Sequence, residues 1–288
     1  MKLIKHLAAA VLAAALGNSS AATIEFVHYY PPGGGLDQHT SPLIKHLENS
    51  GNQVTKKFFK TCSEAVTYSV NAENIVFFAE YRDDLQSGDG TCPVVRSLPK
   101  KLTFVSPVTS AAFYLCTAPN KAHLTLDNLR RDRSFVGIST FDPETKRQIF
   151  SFIRNTNIGI VPYSGNAALR AALVSGDLDY IYAASNLTPL MQSGTKCLLS
   201  GSRVNALNLP YIGSVFPGYN SEAINQVSIW TNRADADNIK QITAAFKSSE
   251  FDALLSQQPL LTHTGLGSGR TLAQLQAEKN KTANPLKK

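Results

Sequence analysis

The segment Val27-His28-Tyr29-Tyr30-Pro31-Pro32-Gly33-Gly34-Gly35-Leu36-Asp37 carries the residues of this 288-residue chain best suited to chemistry. It lies between an apolar strand-like run and a helix-like segment, so its backbone N–H groups can converge where an anion would sit. Three consecutive glycines permit close backbone approach and positive φ, and the two prolines stiffen the entry. The chemistry this predicts is capture of a small anion by the amides of Gly33, Gly34 and Gly35 behind Pro32. Asp37 would hold the loop or cap the next helix, and Tyr30 would cover the ligand. Nucleotide binding is excluded on residues. A phosphate loop needs a lysine and a hydroxyl after its second glycine, and the G-x-G-x-x-G spacing is absent. Composition alone leaves a glycine-rich surface turn equally open.

Residues for covalent or metal chemistry are not grouped. There is no G-x-S-x-G elbow and no H-E-x-x-H, and His28, His39, His46, His123 and His263 stand apart from obvious partners. A hydrolase or lyase on an α/β scaffold is the rival reading, and it lacks a nucleophile beside a base. No cofactor and no metal are expected. His28 reads as a histidine satisfied in or beside a sheet. Lys57 and Lys60 read as a solvated strand edge rather than as neutralisers of an anion. The four cysteines, Cys62, Cys92, Cys116 and Cys197, form no C-x-x-C and no metal-ligand spacing. In an oxidising compartment Cys62 with Cys92 would close a local loop worth roughly 3–4 kcal/mol. Cys116 and Cys197 would then pair by elimination, or stay as buried thiols inside apolar runs.

The elements that must position these residues alternate. Strand-like runs lie at Ile24 to Tyr29, Ile75 to Phe78, Ala112 to Cys116, Phe135 to Ile138, Ile158 to Tyr163 and Leu178 to Tyr182. Helix-like segments lie at Leu43 to Leu47, Arg147 to Ile153, Ala167 to Val174 and Ile239 to Leu255. Asp142, Pro143 and Glu144 signal the start of a helix near Pro143. Alternation predicts an α/β fold of mixed parallel sheets flanked by helices, with ligands at the carboxyl ends of strands.

Lys2 and Lys5, the apolar run Leu7 to Leu16 and the small residues Ser19 to Ala22 predict a signal peptide over residues 1–22, cleaved near Ala21 or Ala22, and hence a periplasmic protein. Losing the two lysines lowers the net charge from +7 to +5, which suits an anionic ligand. No basic cluster interleaved with aromatics points to nucleic acid. About 265 residues remain, more than one common domain, so two lobes are expected.

Tyr30 to Asp37 resembles the F-P-P-G-G-G-T-D motif of the tripartite tricarboxylate transporter substrate-binding family. Ile160-Val161-Pro162-Tyr163-Ser164-Gly165 is similar to its V-P-Y-K-G, and Gly176-Asp177-Leu178-Asp179 to its G-x-V-D. Most of the mature chain can be followed. The chain departs from the family after Lys57, where Phe59-Lys60-Thr61-Cys62-Ser63 replaces a glycine-rich segment. It departs again at Ser139-Thr140-Phe141-Asp142-Pro143, which keeps hydroxyls but loses glycines, and at Ala183-Ala184-Ser185-Asn186, where an acidic residue is missing.

The resemblance implies a two-lobed type II periplasmic binding fold that closes on a small carboxylate, as a monomer, and delivers it to membrane permease subunits. A receptor presenting its ligand to a sensor kinase is the variant of that role. Lobe 1 would take residues 23–109 and 232–288, and lobe 2 the inserted residues 110–231. The second lobe would supply Ser139, Thr140, Tyr163, Ser164, Gly165, Ser185 and Asn186. Two or three charge-assisted bonds contribute about 1.5–3 kcal/mol each before ordering costs. A micromolar complex needs about 8 kcal/mol, so one loop is marginal and closure by a second lobe is expected.

Overall fold

The structure is a computed structural model that describes residues 23–81, 102–139, 157–163, 166–184, 187–203, 205–219 and 223–264. A first sheet contains β1 (Thr23–His28), β2 (Gln53–Phe58), β3 (Ile75–Tyr81), β4 (Thr103–Ala112), β10 (Ile224–Thr231) and β11 (Thr262–His263), in the order β11-β4-β10-β3-β1-β2. A second sheet contains β5 (Tyr114–Thr117), β6 (Ser134–Ser139), β7 (Ile158–Tyr163), β8 (Tyr180–Ala183) and β9 (Cys197–Ser200), in the order β7-β6-β8-β5-β9. Strands β1, β2 and β3 are parallel, as are β6, β7 and β8, while β10 runs antiparallel to β3 and β4, and β5 antiparallel to β8 and β9.

Buried runs such as Ile24 to His28 arise because both faces of β1 are covered. Alternation sends His28 toward α1 (Gly35–Asn49) and Glu25 toward α2 (Cys62–Asn71), where each finds a side-chain partner. Leu36, Leu43 and Leu47 of α1 are fully buried at helical spacing. The first turn of α2 is fixed by a capping box between Thr61 and Glu64. Helices α3 (Leu126–Arg131), α4 (Asn166–Ser175), α5 (Thr188–Met191) and α6 (Ile212–Val215) accompany the second sheet, and α7 (Ala236–Phe246) and α8 (Ser249–Ser256) return to α1. There Glu250 meets His46 at 2.9 Å and Gln241 donates to Asn52 at 2.8 Å.

The expected strand Ala112 to Cys116 is instead the crossover between sheets. β4 ends at Ala112, Phe113 belongs to neither strand, and β5 begins at Tyr114. The Phe113 N–H donates to Ala223 O at 3.0 Å, the Ala223 N–H to Gly201 O at 2.9 Å, and the Gly201 N–H to Phe113 O at 2.8 Å. Three passages of the chain are thereby tied together, and Phe113 stacks on Tyr182 of β8 at 5.3 Å. β10, assigned from sequence to the inserted lobe, is hydrogen-bonded between β3 and β4 in the first sheet. The expected helix Ile239 to Leu255 breaks at Lys247-Ser248, because the Ser248 hydroxyl accepts the Phe251 N–H at 3.0 Å and starts α8.

A disulfide joins Cys116 to Cys197, which face each other across β5 and β9. Cys62 is disulfide-bonded as well, and its expected partner Cys92 lies outside the described residues. Residues 1–22 and the helix expected from Asp142 through Ile153 also lie outside them. Among the described residues no helix is long and apolar enough to cross a membrane.

Candidate functional site

The loop at the carboxyl end of β1 is closed by its own bonds. The Gly34 N–H donates to Pro31 O at 3.0 Å, and Gly33 has φ +71°. With Pro32 ahead of it, that is the signature of a type II turn, which needs glycine at its third position. The Gly33 N–H donates to Asp37 Oδ2 at 2.9 Å, and Lys56 Nζ donates to Asp37 Oδ1 at 2.7 Å. Burial would raise the Asp37 pKa, but Lys56 and the Gly33 amide outweigh it and hold the carboxylate below its ordinary range.

This geometry changes the expected donor set. The amides of Gly33 and Gly34 are spent inside the loop, each having one hydrogen to give. Helix α1 starts at Gly35 behind the N-cap Gly34, which provides no side-chain cap. The amides of Gly35, Leu36 and Asp37 therefore have no acceptor among the described residues, and the positive end of a 15-residue helix adds to them. Gly35 is buried, and so is Leu36.

Beneath the loop, Thr40 Oγ1 donates to Leu36 O at 2.9 Å, so it accepts from His28 Nε2 at 2.9 Å. That fixes the Nε2–H tautomer of His28. Burial pushes the His28 pKa down to about 4, with Asp37 raising it a little and Lys56 lowering it. His39 lies one turn into α1 with Nδ1 2.8 Å from Thr109 Oγ1 of β4, and burial pushes its pKa down to about 3 against the raising effect of Thr109. Both rings are neutral at pH 7.

Aromatic rings form the rest of this edge. Tyr29 is buried against Phe78 at 5.9 Å, and its hydroxyl accepts the Tyr81 N–H at 3.2 Å. Tyr30 and Tyr81 are half-buried and meet edge to face at 5.5 Å. On the other face of the sheet Lys57 pairs with Glu25 at 3.0 Å and bonds to the Tyr68 hydroxyl, which in turn donates to Glu25. Lys60 is exposed.

At the second sheet, Ser139 ends β6 and Tyr163 ends β7, and the two are direct partners in the parallel register. Two of the expected residues of that lobe thus stand side by side. Thr140, Ser164, Gly165, Ser185 and Asn186 lie outside the described residues. Both edges border the crossover. Tyr81 at the end of β3 is level with Val227 near the start of β10, and Ala183 at the end of β8 is level with Tyr114 at the start of β5. Sequence reasoning missed Lys56, Thr40 and Tyr81. Only Lys56 left a trace, as a cation in an edge strand. Among the described residues no group of three His, Cys, Asp or Glu side chains could hold a metal ion.

Two α/β sheets joined at a crossover, with the carboxyl ends of both parallel sets against it, define the two-lobed periplasmic binding protein fold. Solved structures carry the same fold. MatC from Rhodopseudomonas palustris with bound malate superposes with a TM-score of 0.62 at 15% identity, covering 92% of this chain and 97% of that one. The R. palustris protein Rpa4515 with adipate gives 0.67 at 15% identity, covering 92% and 95%. A TctC solute binding protein from Polaromonas gives 0.53 at 14% identity, covering 92% and 96%. No family model matches the chain, and no curated protein does. At these identities the likeness establishes the fold.

Proposed function

We propose that this chain is an extracytoplasmic solute receptor, a divergent member of the tripartite tricarboxylate transporter binding-protein family, that captures a small carboxylate and passes it to membrane permease subunits. The carrying observation is the start of α1. Three successive amides without acceptors among the described residues, at the buried end of a long helix beside the crossover, make a ready carboxylate site. The Tyr30 to Asp37 motif, the Ser139–Tyr163 pair and the similar structures that hold malate and adipate all support the reading.

In this reading Tyr30, Pro32, Gly33, Gly34 and Asp37 shape the loop, and the amides from Gly35 onward bind. Ser139 and Tyr163, with Thr140, Ser164, Gly165, Ser185 and Asn186, close on the ligand from the other lobe. The lobes divide at Phe113 and just before Ile224, and residues 1–22 direct export. A thermal-shift screen of the mature chain with mono-, di- and tricarboxylates, amino acids and aromatic acids tests the proposal. A raised melting temperature with one carboxylate class is the expected result. Turnover of a compound without a retained ligand would favour an enzyme instead.

A further inference from the structure

Alternation along β2 sends its two neighbouring lysines to opposite faces of the first sheet. Lys57 goes to the α2 face and pairs with Glu25, while Lys56 goes to the α1 face, where its Nζ donates to Asp37 Oδ1 at 2.7 Å. Asp37 is the third residue of α1, the position from which a side-chain carboxylate reaches back to the N-cap amide in a capping box. Here the N-cap is Gly34, whose N–H is given to Pro31 O. Asp37 Oδ2 reaches one residue further back and accepts the Gly33 N–H at 2.9 Å. Gln38, next along α1, donates to Gly33 O at 3.2 Å, so the N–H and the C=O of Gly33 are both tied to the helix.

The Asp37 carboxylate is thereby held to the turn through one oxygen and to β2 through the other. Its place in the chain gives that arrangement a consequence for binding, because the Asp37 backbone N–H is one of the three amides proposed to meet the ligand. A side-chain anion in the first turn is drawn to the positive helix end as an anionic solute is. Being covalently attached, it competes at an effective concentration in the millimolar range or above, far beyond that of a dilute solute. Among the described residues the ionisable groups that act on Asp37 are Lys56 of β2 and His28 of β1, and His28 is neutral at pH 7. Lys56 therefore supplies the positive charge beside this carboxylate.

We propose that Lys56 is a positioning residue of the carboxylate site, acting through Asp37. By holding Asp37 to β2 and offsetting its charge, Lys56 keeps the first amides of α1 available to an anionic ligand. Without Lys56, Asp37 becomes an internal competitor for them. The inference rests on the receptor reading above and adds what controls that same site.

The test is calorimetric titration of the mature chain at pH 7 with malate, adipate, citrate and benzoate. The acid bound most tightly is then titrated into Lys56→Met, Lys56→Arg, Asp37→Asn and the double variant Lys56→Met/Asp37→Asn, with circular dichroism checking each fold. Lys56→Met should weaken binding at least tenfold, and Lys56→Arg should keep it within threefold of the parent. In the Asp37→Asn background the same loss of Lys56 should change affinity less than threefold, because a neutral amide no longer competes. Should Lys56→Met not fold, Lys56→Gln carries the same expectations. A loss of threefold or more in the Asp37→Asn background would mean that Lys56 attracts the ligand directly and would overturn the inference. A loss below tenfold from Lys56→Met alone would overturn it too, and either result leaves the receptor reading standing. Binding of none of these acids by the parent would overturn the reading and the inference together.

Discussion

The two carboxyl edges that border the crossover are built differently. At the first sheet nearly every polar group near the loop is engaged internally: Gly34 with Pro31, Gly33 and Lys56 with Asp37, and His28 with Thr40. The groups left over are backbone amides fixed by a helix. At the second sheet the described groups are side-chain hydroxyls, Ser139 and Tyr163, set side by side by strand register. Amides locked in a helix cost little entropy to present. For the receptor proposed above, the comparison teaches that the first edge presents backbone amides fixed by a helix and the second presents side chains, so damage to the first should be the more costly.

The largest expected effect comes from Gly34→Val. A Cβ at this position would lie 2.8 Å from Pro31 O, inside the turn that closes the loop. Ligand-induced thermal stabilisation should vanish, an affinity loss of at least about 100-fold, while the folded circular-dichroism spectrum persists. Unchanged affinity would remove the first edge from the site.

Acid tests the anchor from beneath. His28 and His39 have pKa values of about 4 and about 3 in the folded chain against 6.5 when unfolded. As pH falls below 6.5 the unfolded chain takes up protons first, so stability is full above 6.5 and is lost progressively toward pH 4 and then 3. The loss is on the order of 2 kcal/mol per histidine by pH 5. Hydrogen exchange at pH 5 should show the amides of β1 and α1 loosening before those of β6 and β8. Equal loosening of both sheets would erase the distinction.

The crossover between the two edges tolerates no added volume. A methyl group on Gly201 would lie 2.5 Å from the Tyr182 hydroxyl and 2.7 Å from Ala223 Cβ. Gly201→Ala should destabilise the chain by about 1–3 kcal/mol in denaturant unfolding. The smallest effect is expected from Ser139→Ala, about 1 kcal/mol or roughly fivefold in affinity, because one hydroxyl among several donors is removed. A loss as large as that of Gly34→Val would invert the ranking of the two edges.

Much of the α/β pattern was legible because strands buried on both faces, such as β1 and β3, are continuous apolar runs. β2 was not, since Gln53, Thr55 and Lys56 point an edge strand to solvent. β10 was missed as a member of the first sheet because a sequence carries no sign of which sheet a returning strand joins. The site loop was legible as a loop, since proline then glycine is turn chemistry. That the Gly33 amide is already engaged was not legible, because Asp37 could equally have capped the next helix, and only the fold shows its carboxylate accepting from Gly33. Tyr81 was invisible in isolation, since a tyrosine at the end of an apolar strand has the pattern of any core residue.

By itself the sequence determined that the chain alternates strand and helix, that a tight turn follows β1, and that a helix begins directly behind it. Those are consequences of local periodicity and of the φ preferences of proline and glycine. The tertiary structure decided which amides stay available, which lysines are already spent on Asp37 and Glu25, and which rings stand beside the helix start. Hydrogen bonds and ion pairs between β1, β2, β3 and α1 consume or spare those groups, and such pairings exist only once the sheet has brought distant residues together.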